Sequence, residues 1–248
     1  MSLKRTITKK KEIIPIGGGL LRLGETIPID KFIIKECRKK SPVVLFVPTA
    51  SKDLAVYSAT FRNVYRKLGC RVRVLELFGK KRPLKSHLVK LFMNVDTIYV
   101  GGGDYNLLTP TWKKYGIIQL IKKAYKDGAI LTGLSAGCAI WYEYLLDIDK
   151  DKKYVLKKGL GILGGISIPH YKRKDSLPVK ILKTKNLQVV AIEDNCAAVY
   201  IDEQLVGCKA VNSSRVFTIN PPYTKKKQVA GVSSFGRQSK NTKHNINS

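Results

Sequence analysis

Ala129-Ile130-Leu131-Thr132-Gly133-Leu134-Ser135-Ala136-Gly137-Cys138-Ala139-Ile140-Trp141-Tyr142 is the stretch on which the fold turns. Residues 129–131 form a short apolar run that reads as a buried strand, and residues 133–137 fit the pattern G-x-S-x-G. The apolar residues 138–142 that follow read as the start of a helix. Strand, sharp turn and helix are the context in which this pattern lifts a serine out as a nucleophile. The turn is tight, so its neighbours must be small, and Gly133, Ala136 and Gly137 meet that demand. A helix starting behind Ser135 adds free N–H groups and positive potential where an oxyanion would form.

Outward from this turn the same alternation repeats. Residues 13–16 run into Gly17-Gly18-Gly19, residues 43–47 into Pro48-Thr49-Ala50, and residues 97–100 into Gly101-Gly102-Gly103. Residues 71–77 alternate polar and apolar. Between these runs, residues 30–39, 55–68 and 116–126 carry apolar side chains at helical spacing. The pattern predicts an α/β fold, a mainly parallel sheet with helices on both faces and the site at strand C-termini. After about residue 156 helices thin out, while 166–168, 188–192, 197–201, 205–207 and 216–219 still read as strands. These are expected to add hairpins to one side or edge of the sheet. The division expected is a basic N-terminal tail over 1–11, one α/β hydrolytic domain over 12–235, and a polar, mobile tail over 236–248.

A serine nucleophile needs a base, and there are three histidines. His244 lies in the polar tail and His87 in a lysine-rich stretch that reads as a surface helix. His170 follows the strand-like 165–168 and Pro169, and is the candidate base. The acid that orients it is expected from Glu193 or Asp194, which end the run 188–192. The Gly101-Gly102-Gly103-Asp104 turn reads as the second half of an oxyanion hole. A dinucleotide turn is disfavoured there, because Asn106 stands where the sixth position of G-x-G-x-x-G requires glycine. A thiol mechanism through Cys138 is out of register, one place beyond the last glycine of the elbow.

Taken in order, Gly17-Gly18-Gly19, Val47-Pro48-Thr49-Ala50, Gly101-Gly102-Gly103-Asp104 with Asn106-Leu107-Leu108, Gly133-Leu134-Ser135-Ala136-Gly137, and Gly159-Leu160-Gly161-Ile162 leading to Pro169-His170-Tyr171 resemble the peptidase E and cyanophycinase family of serine peptidases. The resemblance spans about residues 13–217 and implies a fold similar to class I glutamine amidotransferases. It implies Ser135 as nucleophile and His170 as base. The third member falls on Asp194 or its neighbour Glu193, with Asp194 preferred. The implied oxyanion donors are the N–H of Ala136 and of Gly102 or Gly103. The implied reaction is hydrolysis of a small peptide through an acyl-enzyme, without metal or organic cofactor. The family often has an acidic residue after P-H-Y, where this chain has Lys172-Arg173-Lys174. A cationic pocket for an acidic dipeptide is therefore expected near that stretch.

Composition bounds the alternatives. The 248 residues include 46 Lys plus Arg against 18 Asp plus Glu, a net charge of +28. Such a field attracts polyanions, and a non-catalytic polyanion- or nucleic-acid-binding protein on the same fold is the competing reading. The charge is dispersed and no nucleic-acid motif accompanies it, so any such binding is expected to be non-specific. No apolar run is long enough for a membrane helix, and residues 1–11 lack the apolar stretch of a secretory signal. Five cysteines without C-x-x-C spacing argue against a disulfide framework or a zinc site. A cytoplasmic protein with free thiols is expected, and a homo-oligomer is compatible with all of this.

Overall fold

A computed structural model describes residues 10–79 and 82–233. Among the described residues thirteen strands form two sheets. The first half of the chain lays down β1 (Glu12–Ile16), α1 (Ile27–Glu36), β2 (Val43–Val47), α2 (Ala55–Lys67), β3 (Arg71–Val74), α3 (Lys85–Phe92), β4 (Thr97–Val100), α4 (Leu108–Tyr115), α5 (Ile117–Lys126) and β5 (Ile130–Leu134). The second half adds α6 (Ala136–Ala139), β6 (Tyr142–Ile148), β7 (Tyr154–Lys158), β8 (Leu163–Ile168), α7 (Val179–Lys183), β9 (Val189–Ile192), β10 (Cys196–Ile201), β11 (Gln204–Ala210), β12 (Val216–Ile219) and β13 (Lys226–Gln228).

The larger sheet has the order β11-β10-β1-β5-β4-β2-β3. From β1 to β3 every pairing is parallel, while β10 and β11 join antiparallel. The central strands β2 and β4 are buried along their whole length, as strands covered on both faces must be. On one face α1 and α2 pack Ile29, Phe32, Phe61 and Tyr65 against Ile14, Val44 and Phe46. Phe46, Phe61 and Tyr65 form a stack with centroids 4.0 and 4.1 Å apart. On the other face α3, α4 and α5 contribute Phe92, Trp112 and Ile121 to a core shared with Leu45, Ile98 and Leu131. This is the expected class I glutamine amidotransferase-like α/β fold.

The later strands do more than extend an edge. Only β10 and β11 join the first sheet; the other six strands of that half form a second, mixed sheet of order β13-β12-β9-β8-β6-β7. Leu145, Leu163 and Val190 from this sheet enter the same core as α3–α5. The helix expected from residue 138 lasts only four residues, and the chain then enters β6.

The ends of the chain qualify the expected tails. Lys11 is tied down, its N–H donating to Asp202 at 3.1 Å and its ammonium pairing with Glu203 at 2.8 Å. The rest of the basic tail, apart from Lys10, and the polar tail over 236–248 lie outside the described residues.

Candidate active site

The elbow has the backbone that its sequence demands. Ser135 sits between β5 and α6 with φ of 58° and ψ of −110°, a conformation costly for any residue with a side chain. A β-carbon on Gly137 would strike the carbonyl of Val100, and one on Gly133 would strike that of Gly137. The turn is therefore closed to larger residues on both sides. The Ser135 carbonyl accepts from Cys138 and Ala139 at 2.9 and 3.0 Å, which starts α6.

Three consecutive carbonyls at the end of β1 hold the loops that meet here. Ile16 O accepts from Ser135 N at 3.0 Å, Gly17 O from His170 N at 3.3 Å, and Gly18 O from Asn195 N at 2.9 Å. His170 and Asn195 have φ of 54° and 58°, so all three loops turn sharply at the same place. Gly18 forms a bridge to Asp194. A β-carbon on Gly18 would overlap both the Asp194 carboxylate and the His170 ring. In the sequence Gly18 is only part of a glycine turn; its contact with the two side chains depends on a pairing that no local pattern reveals.

The side chains converge accordingly. His170 Nε2 lies 2.8 Å from Ser135 Oγ, and His170 Nδ1 lies 2.6 Å from Asp194 Oδ1. A carboxylate only accepts, so Nδ1 carries the proton and Nε2 is left to accept from the serine hydroxyl. Both His170 and Asp194 are about half exposed, at 50% and 55% of their side-chain surface. Glu193 points elsewhere. It accepts from Arg173 Nε and Nη2 at 2.5 and 2.9 Å and from Arg215 N at 2.8 Å. The two candidate acids are thus separated by geometry.

The glycine turn also divides its two candidates. Gly102 N–H donates to the hydroxyl of Tyr57 at 3.3 Å. Among the described residues the N–H groups of Gly103 and Ala136 have no partner, and both residues line a cavity beside Ser135. Gly103 has φ of 138° and no room for a β-carbon against Ala50.

The remaining candidates fall outside this cluster. Cys138 is fully buried against Ser167, and burial pushes its thiol up to about 12, which removes it as a thiolate nucleophile at neutral pH. His87 is exposed on α3, as its sequence suggested, and His244 lies outside the described residues. Of residues 172–174, where a cationic pocket was expected, Arg173 is engaged by Glu193 and none lines either cavity beside the serine. The local reason is that β9 ends with Glu193 facing this loop and draws its guanidinium away. Among the described residues no group of His, Cys, Asp and Glu is arranged to hold a metal ion, and no helix is long and apolar enough to cross a membrane.

A strand-borne serine elbow on an α/β sheet, faced by a histidine, has counterparts among solved structures of similar fold. A peptidase from an acI-B1 actinobacterium superposes with a TM-score of 0.66 at 19% identity, over 90% of this chain and 96% of that one. A Listeria monocytogenes EGD-e protein described as a "Putative Peptidase E Protein" superposes with a TM-score of 0.60 at 19% identity, over 82% of this chain and all of the other. In sequence, the Peptidase family S51 model matches residues 8–207. The Bacillus subtilis (strain 168) uncharacterized peptidase YgaJ is 34% identical over 200 residues, 79% of this chain and 85% of that protein. The chain belongs to peptidase family S51, and it is a peptidase of the serine type.

Proposed function

We propose that Ser135, His170 and Asp194 act as a catalytic triad that hydrolyses a short peptide, a dipeptide first of all. The observation that carries this reading is His170 bridging Ser135 at 2.8 Å and Asp194 at 2.6 Å. Ser135 Oγ attacks the scissile carbonyl while His170 Nε2 takes its proton. The oxyanion is held by the N–H groups of Ala136 and Gly103, with Gly102 retained by Tyr57. His170 then protonates the leaving amine, and water attacks the resulting ester to release the acid and restore Ser135. Asp194 keeps the proton on Nδ1 and offsets the charge that forms on the imidazole. Glu193 takes no part in this chemistry and holds the loop through Arg173.

The test is Ser135→Ala against a dipeptide panel. Turnover should fall by about a thousandfold or more while the circular dichroism spectrum is unchanged. Covalent labelling by a fluorophosphonate should vanish with it. Cys138→Ala should keep both turnover and labelling. Near wild-type hydrolysis by Ser135→Ala would falsify the assignment.

A further inference from the structure

Ser135 and His170 stand on the wall between two cavities, and the linings of those cavities differ in kind. The first, about 380 Å3, reaches from Gly103 toward the second sheet and includes Asp104, Asp147 and Asp175. Among the described residues no Lys or Arg lines it, although the chain has 46 of them in 248 positions. Asp147 is neutralised by Lys157 at 2.7 Å. Asp104 accepts only from Asn106, and the Asp175 carboxylate has no partner among the described residues. The second cavity, about 410 Å3, shares Gly103, Ser135 and His170 with the first and is largely apolar. Leu20, Leu54 and Val56 at its walls are 45%, 53% and 66% exposed, and grouped apolar exposure of this kind marks a binding surface. Arg22 is the one Lys or Arg lining it among the described residues.

We propose that these cavities are the two substrate subsites flanking the scissile bond, one taking an apolar side chain and the other a cationic group of the peptide. This rests on Ser135 being the nucleophile, because a scissile carbonyl at Ser135 sends the two sides of its peptide into the two cavities. The apolar cavity gains by removing Leu20, Leu54 and Val56 from water. In the acidic one, a substrate cation meets Asp104 and Asp175 at close range. Charges farther away than about 8 Å are screened at physiological ionic strength, and the cations beside Asp175 in sequence, Lys172, Arg173 and Lys174, do not line the cavity. An acidic residue in that cavity would face two uncompensated carboxylates. The cation has two sources, a Lys or Arg side chain or a free α-ammonium, and the same carboxylates recognise either.

The test uses the full chain and dipeptides that pair Leu with Lys, Met or Asp, each in both orders. Each is offered free and N-acetylated to wild type, Ser135→Ala and the double variant Asp104→Asn, Asp175→Asn. Asparagine still caps the turn that Asp104 caps, so the double variant keeps its fold. A Lys/Leu pair in one order should exceed the matching Asp/Leu pair by about tenfold in kcat/KM. If a side chain is recognised, Lys exceeds Met and acetylation leaves that ratio standing; if the α-ammonium is recognised, acetylation abolishes turnover of Met/Leu and Lys/Leu alike. In either case the double variant should lose about three- to tenfold through KM on the favoured peptide, and less in high salt. Equal rates across Lys, Met and Asp with no effect of acetylation, or a preference for Asp, overturns the subsite assignment. If Ser135→Ala is meanwhile inactive, only this inference fails; if Ser135→Ala stays active, the triad reading fails first.

Discussion

At the scale of single residues, the site is a matter of which of two neighbours faces inward. Glu193 and Asp194 are adjacent, and only Asp194 reaches His170. Asp194→Asn should lower kcat by up to about ten-thousandfold by allowing the wrong imidazole tautomer, whereas Glu193→Gln should cost far less. Steady-state kinetics on the two variants decides between them, and a larger loss in Glu193→Gln would reverse the roles proposed here. Gly18 offers a second test. An alanine methyl there must displace the Asp194 carboxylate or the His170 ring. Gly18→Ala should therefore cost about a hundredfold in kcat with a folded protein, since displacements near 1 Å have that effect on aligned groups. Unchanged kcat in Gly18→Ala would mean that the contact between ring and carboxylate is not needed. Ser135 and His170 were legible in the sequence because the elbow has a spacing and only three histidines exist. The preference for Asp194 over Glu193 came from the family resemblance and not from local pattern, because the orientation is made by the positive φ of Asn195 and by Arg173 arriving from another loop.

At the scale of elements, α1 and α2 are joined by a buried carboxyl. Asp30 accepts from Tyr65 Oη at 2.6 Å and from Thr26 Oγ1 at 2.9 Å with no exposed surface. Burial raises its pKa from 3.8 to about 6, against the opposing effect of those two hydrogen bonds. The folded state thus holds the proton more tightly than the unfolded chain, and stability falls as pH rises from about 4 through about 6. That rise corresponds to about 3 kcal/mol, fully lost above pH 6. Asn at position 30 preserves an acceptor for Tyr65 without a charge. The melting temperature of Asp30→Asn, relative to wild type, should therefore become more favourable between pH 4 and pH 7.5. A difference that stays constant over this range would show that Asp30 does not titrate there. The parallel strands and long helices were read correctly from period and flanking glycines. Strands β6 and β7 were not, because the apolar run at 138–142 fits a helix start as well as a strand. What decides is the next stretch, where Tyr142, Tyr144, Leu146 and Ile148 alternate with Glu143 and Asp147, and Trp141 is drawn into the core.

At the scale of the whole molecule, part of the excess charge has a use at the sheet edges. All four edge strands carry cations: Arg71 and Arg73 in β3, Lys209 in β11, Lys157 and Lys158 in β7, Lys226 and Lys227 in β13. Positive charge on an unpaired edge opposes pairing with another chain. The same +28 repels itself in the compact state. The melting temperature should therefore climb by a few degrees, roughly, between low salt and 0.5 M sodium chloride, where the screening length falls to about 4 Å. A melting temperature that falls or stays flat would place the charges too far apart to matter. The position of β1 has a consequence in time. Its three terminal carbonyls receive Ser135, His170 and Asn195 in chain order, and the sheet waits for β10 to close beside β1. During translation the early parallel strands emerge first, and the contact of His170 with Asp194 forms only after residue 194 has left the ribosomal exit tunnel. The arrangement around the serine is thus completed last, by a strand pair from the far end of the chain.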